Sequence, residues 1–411
     1  EMSRKGFTMD DVTLRWCPSR IPVHWPNTGL PVGSLRLFRS WADGWPEERR
    51  GEVWHSLLRY VTKQRVKVMV ATPISCDVQS DNRDWLWTKD LLGQLHPDQV
   101  MGFAVGNELD LLYTHAKDDP ACIEALWEGG RAWAQFTERV QAIDDMGLSH
   151  VPVTSVFTGG ILYGGNRYAP FSNIHGKALV NDFLKNATVK YGYRYTFTFN
   201  IYPYFDPSLK IDPPRYTCAS GLNIATCFEE GCLVSRALVL ARKKMWQLTH
   251  RSDDRLWIGE IGWSSPQALA LGTEMANCPE FSSLGALTRF YQNFLRWDLS
   301  VRGVRDPDHA FYFTMRDALN FGFQEYFGVI PTCQSLECKI KTANYTAPPI
   351  LRGRRMPTVR VAFLASGAVM LAAALCPLLC RSVARAASKG DGDEEEDDTA
   401  SSHTGSSGSS E

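Results

Sequence analysis

Charge of one sign is missing from this sequence: 44 Lys and Arg stand against 45 Asp and Glu over 411 residues. So balanced a chain carries no electrostatic footprint for nucleic acid, and its basic runs, Arg49-Arg50 and Arg352 to Arg355, are short. Paired CxxC blocks are missing too, and His55, His96, His115 and His309 share no ligand spacing, so no metal site is indicated. Gly159-Gly160 and Gly164-Gly165 lack the GxGxxG form of a nucleotide loop, and no cofactor is expected. The chain begins at Glu1 with no basic and apolar leader and is read as a truncated start.

Long uncharged runs are scarce, with one exception. Val361 to Cys380 holds twenty residues without a charge between Arg360 and Arg381, enough for a helix to cross a bilayer. The expectation is a linker over 331–360, a transmembrane helix over 361–380 and a disordered tail over 381–411 carrying the acidic run Asp393 to Asp398. Cys218, Cys227 and Cys232 lie close together, as do Cys333 and Cys338, which favours disulfides in an oxidising compartment without revealing their connectivity. Asn186-Ala-Thr188 and Asn344-Tyr-Thr346 read as glycosylation sequons. Both features place the large domain on the extracellular or lumenal side of a single-pass anchor.

Ahead of the linker, short apolar runs alternate with helical patterns. Residues 1–34 are broken by Pro18, Pro22, Pro26 and Pro31 and read as irregular, with at most a strand near Val12 to Trp16. From Leu35 the strands are Leu35–Phe38, Val66–Ile74, Val100–Glu108, Val151–Phe157, Tyr195–Tyr202, the run from Leu256, and Ala310–Thr314. Helical spacing fills the gaps at Glu47–Thr62, Asn82–Leu95, Ala121–Met146, Val180–Tyr191, Val234–Leu248 and Leu284–Leu299. This rhythm is α/β and suits either a doubly wound sheet or a (β/α)8 TIM barrel over 35–330. Polar residues at the carboxyl ends of several separate strands favour the barrel, which gathers those ends around one pocket.

Two of those ends carry an acid. Leu256-Trp-Ile-Gly-Glu-Ile-Gly-Trp263 closes an apolar strand on Glu260, and Val100-Met-Gly-Phe-Ala-Val-Gly-Asn-Glu108 closes another on Glu108. A lone Glu in such a place is most simply an internal ion pair or a solvated strand end. Two of them are what acid/base and nucleophile chemistry on a glycoside requires.

Gly106-Asn107-Glu108, Asn200-Ile-Tyr-Pro-Tyr-Phe205 and Gly259-Glu260-Ile-Gly-Trp263, in that order, resemble glycoside hydrolase family 17, the family of β-1,3-glucanases and related glucanosyltransferases. The resemblance runs from about Leu35 to Val329, with Ser264 standing where the family has proline. It implies a retaining (β/α)8 glycosidase acting on β-glucan, with Glu108 as general acid/base and Glu260 as nucleophile. Asn107 would bond the sugar 2-hydroxyl and Tyr202 would orient Glu260. Sugar faces are apolar, so aromatics near strand ends or the Gly-rich loop are candidate stacking surfaces: Trp263 first, then Tyr204 and Tyr312, with Phe205, Tyr168 and Phe171. Any one of them is more often a core side chain than a sugar contact. The same chemistry also serves a glucan transglycosylase, and the same fold a silent glycan-binding receptor.

Overall fold

The computed structural model describes residues 4–112, 119–174, 177–206, 216–265, 278–318 and 326–334, together with Leu209, Ile211 and Lys339. Eight parallel strands close into one barrel in chain order. They are β1 (Lys5–Met9), β2 (Ser34–Leu37), β3 (Lys67–Thr72), β4 (Val100–Asn107), β5 (Val153–Thr158), β6 (Thr196–Asn200), β7 (Arg255–Ile261) and β8 (His309–Tyr312). Closure is made by β1 against β8, with Lys5 opposite Ala310 and Phe7 opposite Tyr312. The barrel is therefore the correct choice over the doubly wound sheet.

The helices are α1 (Asp11–Trp16), α2 (Arg50–Gln64), α3 (Val78–Gln94), α4 (Leu109–Leu112), α5 (Pro120–Trp127), α6 (Arg131–Ile143), α7 (Leu179–Tyr191), α8 (Cys218–Thr226), α9 (Leu233–Thr249) and α10 (Leu284–Arg296). Their stops are local chemistry. In α2 the buried stripe is Val53, Trp54, Leu57 and Val61, and the helix ends where Arg65 turns left-handed. Helix α3 starts at Asp77, whose side chain accepts from Ser80 N at 2.9 Å.

Strand parity divides the core. Met69, Ala71, Ala104, Val156, Trp257 and Phe311 form one buried cluster. Their strand neighbours Val68, Val70, Phe103, Val105, Phe157, Leu256, Ile258 and Tyr312 belong to another, shared with the helices. The first cluster fills the barrel interior and the second seals barrel to helix layer, as alternation along a strand requires.

The first strand lies inside the segment read as irregular. Residues Lys5–Met9 are barrel strand, and Val12 to Trp16, expected as strand, falls in α1, capped by Asp10 through Thr13 N at 2.6 Å. Lys5 disguised the strand by its charge, yet it is buried: its ammonium donates to the carbonyls of Phe294 at 2.8 Å and Leu295 at 3.1 Å, and to that of Trp297. Those are the free carbonyls at the end of α10, where a cation is favoured. The single helical span expected over Ala121–Met146 is two helices, α5 and α6, parted at Gly129-Gly130, where Gly130 is left-handed at φ +74°.

Four disulfides occur among the described residues: Cys17–Cys333, Cys76–Cys122, Cys218–Cys278 and Cys227–Cys232. Cys333 thus reaches back to α1's end rather than to its neighbour Cys338. Asn186 lies exposed on α7. Asn344, most of the 331–360 linker, the 361–380 span and the 381–411 tail lie outside the described residues. Among the described residues no helix is long and apolar enough to cross a membrane.

Cys17–Cys333 spans 316 residues and ties the start of the barrel to the segment after its last strand. Removing it with Cys17→Ser and Cys333→Ser frees the longest of the four disulfide loops among the described residues, so unfolding free energy should fall by roughly 2–5 kcal/mol. Urea unfolding under non-reducing conditions measures this; an unchanged midpoint would show that the β1–β8 seam holds without the bridge.

Candidate active site

The carboxyl ends of β2, β4, β6 and β7 deliver five polar side chains to one place: Arg36, Asn107 with Glu108, Asn200, and Glu260. Regular strand geometry would not aim them together. Pairing shifts register between Ala104 and Asn107, between Phe199 and Asn200, and between Ile258 and Ile261, all at the ends that carry these residues. At β4 the turn is made by backbone: Gly106 sits at φ +82° and Glu108 at φ +52°. A non-glycine residue in that region costs about 1–3 kcal/mol and persists where its surroundings hold it.

Asn200 lies between the acids. Its Nδ2 donates to Glu108 Oε1 and to Glu260 Oε1, both at 2.7 Å. Those two oxygens are therefore at most 5.4 Å apart, twice the 2.7 Å bond. The orientation of the amide is fixed by charge: Oδ1 accepts from Arg36 Nη1 at 3.3 Å, and the reverse placement would set the amide N–H groups against the guanidinium and a carbonyl against the Glu260 carboxylate.

Arg36 is buried and touches everything behind the pair. Its Nη1 donates to Glu260 Oε1 at 3.0 Å and to Gly259 O at 2.7 Å, and its Nη2 to Asn107 Oδ1 at 2.6 Å. Burial pulls its pKa below the ordinary guanidinium value, opposed by the charge of Glu260. A Cβ on Gly259 would lie 2.6 Å from Asn200 Oδ1 and 3.0 Å from Arg36 Nη1, so only glycine leaves room for both there. Tyr202 completes the set, its hydroxyl donating to Glu260 Oε2 at 2.7 Å. Glu260 thus takes three side-chain donors and Glu108 one.

That asymmetry separates the acids. Glu108 is raised from 4.5 to about 8, first by desolvation and then by the charge of Glu260, against the pull of Asn200. At neutral pH it carries a proton. A carboxylic acid beside a donor-rich carboxylate is the pair that acid-assisted displacement needs.

Of the residues singled out from the sequence, Glu108, Glu260, Asn107 and Tyr202 meet here. The favoured stacking residue does not line the cleft. Trp263 is 0% exposed, its Nε1 donates to Phe281 O at 2.7 Å, and its ring is packed by Tyr204, Phe281 and Phe290. Tyr204 is buried against Trp263 and Phe327. Tyr312 has outward parity on β8 and lies among Phe7, Phe290, Tyr291 and Phe294 in the helix layer. All three are core, which corrects their reading as sugar contacts. Phe171 is buried as well, and Tyr168 is 90% exposed. The accessible aromatics beside Glu260 are Tyr202, Phe205, Phe313 and Phe38, linked ring to ring at 5.7–6.1 Å. Arg36 and Asn200 were missed by sequence reasoning. A charged residue between Leu35 and Leu37 was the available signal, since strands of a parallel barrel are buried on both faces.

The fold is a closed (β/α)8 barrel. Neither a protein-family model nor a curated protein matches the sequence. Among solved structures the chain is similar to CJP38, a β-1,3-glucanase and allergen of Cryptomeria japonica pollen, with a TM-score of 0.53 and 14% identity, covering 81% of this chain and 100% of that one. It also matches a structure from a pair of plant β-glucan endohydrolases with distinct substrate specificities (TM-score 0.49, 16% identity, 73% and 88% covered). A third match is a β-glucosidase from Thermotoga maritima in complex with deoxynojirimycin (0.42, 12%, 80% and 92%). Over most of its length the chain has the eight-stranded barrel of a plant β-1,3-glucanase.

The raised Glu108 has a cost with a definite sign. Its contribution to stability is fully present below the unfolded value of 4.5 and is lost as pH rises through about 8. Glu108→Gln, which keeps an acceptor for Asn200, should therefore raise Tm by an amount that grows from pH 4.5 to pH 8, reaching on the order of a few degrees. Calorimetry at the two pH values checks this; a gain independent of pH would mean that Glu108 is not held protonated.

Proposed function

We propose that this chain is a retaining glycoside hydrolase that cleaves β-1,3-glucan through a covalent glycosyl-enzyme. The observation that carries the reading is the shared amide: two carboxyl oxygens on one Asn200 nitrogen are within 5.4 Å. Retaining enzymes hold their acids about 5–5.5 Å apart, whereas inverting ones need roughly 6.5–9.5 Å to admit a water between acid and sugar.

In the first step Glu108 gives its proton to the glycosidic oxygen while a Glu260 oxygen attacks the anomeric carbon. The bond to the leaving chain breaks, that chain departs with a new hydroxyl, and an ester joins sugar to Glu260. Glu108, now ionised, takes a proton from water, whose oxygen attacks the same carbon. The ester breaks and both acids return to their starting states. Arg36 and Tyr202 hold Glu260 in line, and the Arg36 charge compensates its burial. Asn107 has its carbonyl oxygen committed to Arg36, so its amide nitrogen is the half that donates to the sugar 2-hydroxyl. Phe38, Tyr202, Phe205 and Phe313 take the stacking role first given to Trp263. No step requires a cofactor.

β-1,3-glucan as the substrate rests on the motif resemblance and on the similarity of fold to β-1,3-glucanases. Four disulfides suit a secretory route. The uncharged run Val361 to Cys380 is assigned as the membrane anchor on its composition.

Glu108→Gln should lower kcat on laminarin by about 10²–10⁴-fold and Glu260→Gln by at least as much, each leaving a folded barrel by circular dichroism. Proton NMR of the first product should show the β anomer ahead of mutarotation. Full activity in either variant removes the site assignment, and an α first product removes the nucleophile role.

A further inference from the structure

A second buried acid stands two residues beyond Glu108. Asp110, at the start of α4, is nearly inaccessible, and both its oxygens are used on one residue at the end of β5. Its Oδ1 accepts from Thr158 N at 3.0 Å and its Oδ2 from the Thr158 hydroxyl. The hydroxyl oxygen in turn accepts from Gly160 N at 3.2 Å, which leaves its hydrogen for Asp110. Among the described residues no Lys or Arg pairs with Asp110. Burial pushes the Asp110 carboxyl above its ordinary value, while the two Thr158 bonds favour its charged form, and a buried acid without a cation is costly and needs a compensating use.

The use follows from what lies between the anchors. Glu108 occupies the left-handed backbone at φ +52°, and its own N–H donates to Val156 O at 2.8 Å. Val156 and Thr158 are two residues apart on β5, and so are Glu108 and Asp110 on the facing segment. One end of β5 thus grips the strained turn on both sides, by backbone before Glu108's side chain and by a carboxylate after it. We infer that Asp110 is a positioning residue for this turn: clamped on Thr158, it aims the Glu108 side chain at Asn200 and Glu260 and sets a negative charge beside it. The groups facing Glu108 are then Glu260 from β7, Arg36 from β2, Asn200 from β6 and Asp110 from its own segment. Asp110 adds to the upward push on Glu108 that Glu260 supplies, and Arg36 opposes it. The inference rests on the acid/base reading of Glu108.

Asp110→Asn keeps an acceptor for Thr158 N–H and removes the charge. In kcat/KM on a β-1,3-gluco-oligosaccharide the upper pH limb should move down by about half a unit to one unit. That is a loss of about three- to tenfold one unit above the wild-type limb, and less than about threefold well below it. Thr158→Val keeps the backbone half of the clamp and serves if the first variant does not fold. It should lower kcat/KM on the oligosaccharide by about tenfold or more while leaving a 2,4-dinitrophenyl β-glucoside, whose leaving group needs no proton, nearly unaffected. A limb that does not move in Asp110→Asn, or in Thr158→Val an equal loss on both substrates, overturns the positioning role. Carbon-13 NMR titration of Glu108 in wild type and Asp110→Asn requires no turnover: a lowered Glu108 midpoint supports the charge effect and an unchanged one refutes it. A wild-type protein silent on every β-glucan, with that midpoint still shifted, would sink the proposed function and leave the coupling standing.

Discussion

One amide nitrogen sits between two carboxyl groups, and the rest of the molecule can be read as what that contact demands. Like charges this close cannot both ionise without large cost, so one acid must keep its proton. Glu260 receives Arg36, Asn200 and Tyr202, while Glu108 receives Asn200 and an edge of solvent. The side with more donors takes the charge. Arg36 is the costly element, since a buried guanidinium needs acceptors to offset its lost hydration. Gly259 O, Asn107, Asn200 and Glu260 take both terminal nitrogens while Nε has no partner among the described residues, and this commits β2, β4, β6 and β7 to one arrangement.

A barrel meets that demand because its strand ends converge, yet regular pleating alone would not. The register shifts beside Asn107, Asn200 and Ile261, with the left-handed turn at Gly106 and Glu108, move side chains off the alternation that governs the rest of the strands. Below these ends, Trp257, Phe311 and Met69 fill the interior and make it solid. The site is a polar layer at these strand ends, with the linked rings of Phe38, Phe313, Tyr202 and Phe205 beside it.

Much of this was legible in the residues. Apolar strands ending in Asn107-Glu108 and in Glu260 announced both acids, and the alternation of strands with helices announced the barrel from Leu35 onward. What escaped has physical reasons. β1 is five residues including a lysine and a glycine, and Lys5 finds its partners on α10, some 290 positions away. Arg36 passed without a role inside a short strand because its four partners come from three other strands. Asn200 was within a noted motif, but its role exists only when two other strand ends meet it. Trp263 and Tyr312 were drawn to the site by aromatic character and by place in the chain. Parity decides against Tyr312, and the packing of Trp263 under Phe281 and Phe290 decides against the other.

The central claim is that Glu260 forms a bond to sugar while Glu108 serves as its acid. Incubation with a 2-deoxy-2-fluoro-β-laminaribiosyl fluoride, whose good leaving group needs little acid and whose fluorine slows the second step, tests it directly. The prediction is one stoichiometric adduct by intact mass, mapped by peptide sequencing to Glu260 and absent from Glu260→Gln. A protein that turns over β-1,3-glucan and yet accumulates no adduct, or carries it on another residue, contradicts the proposed mechanism.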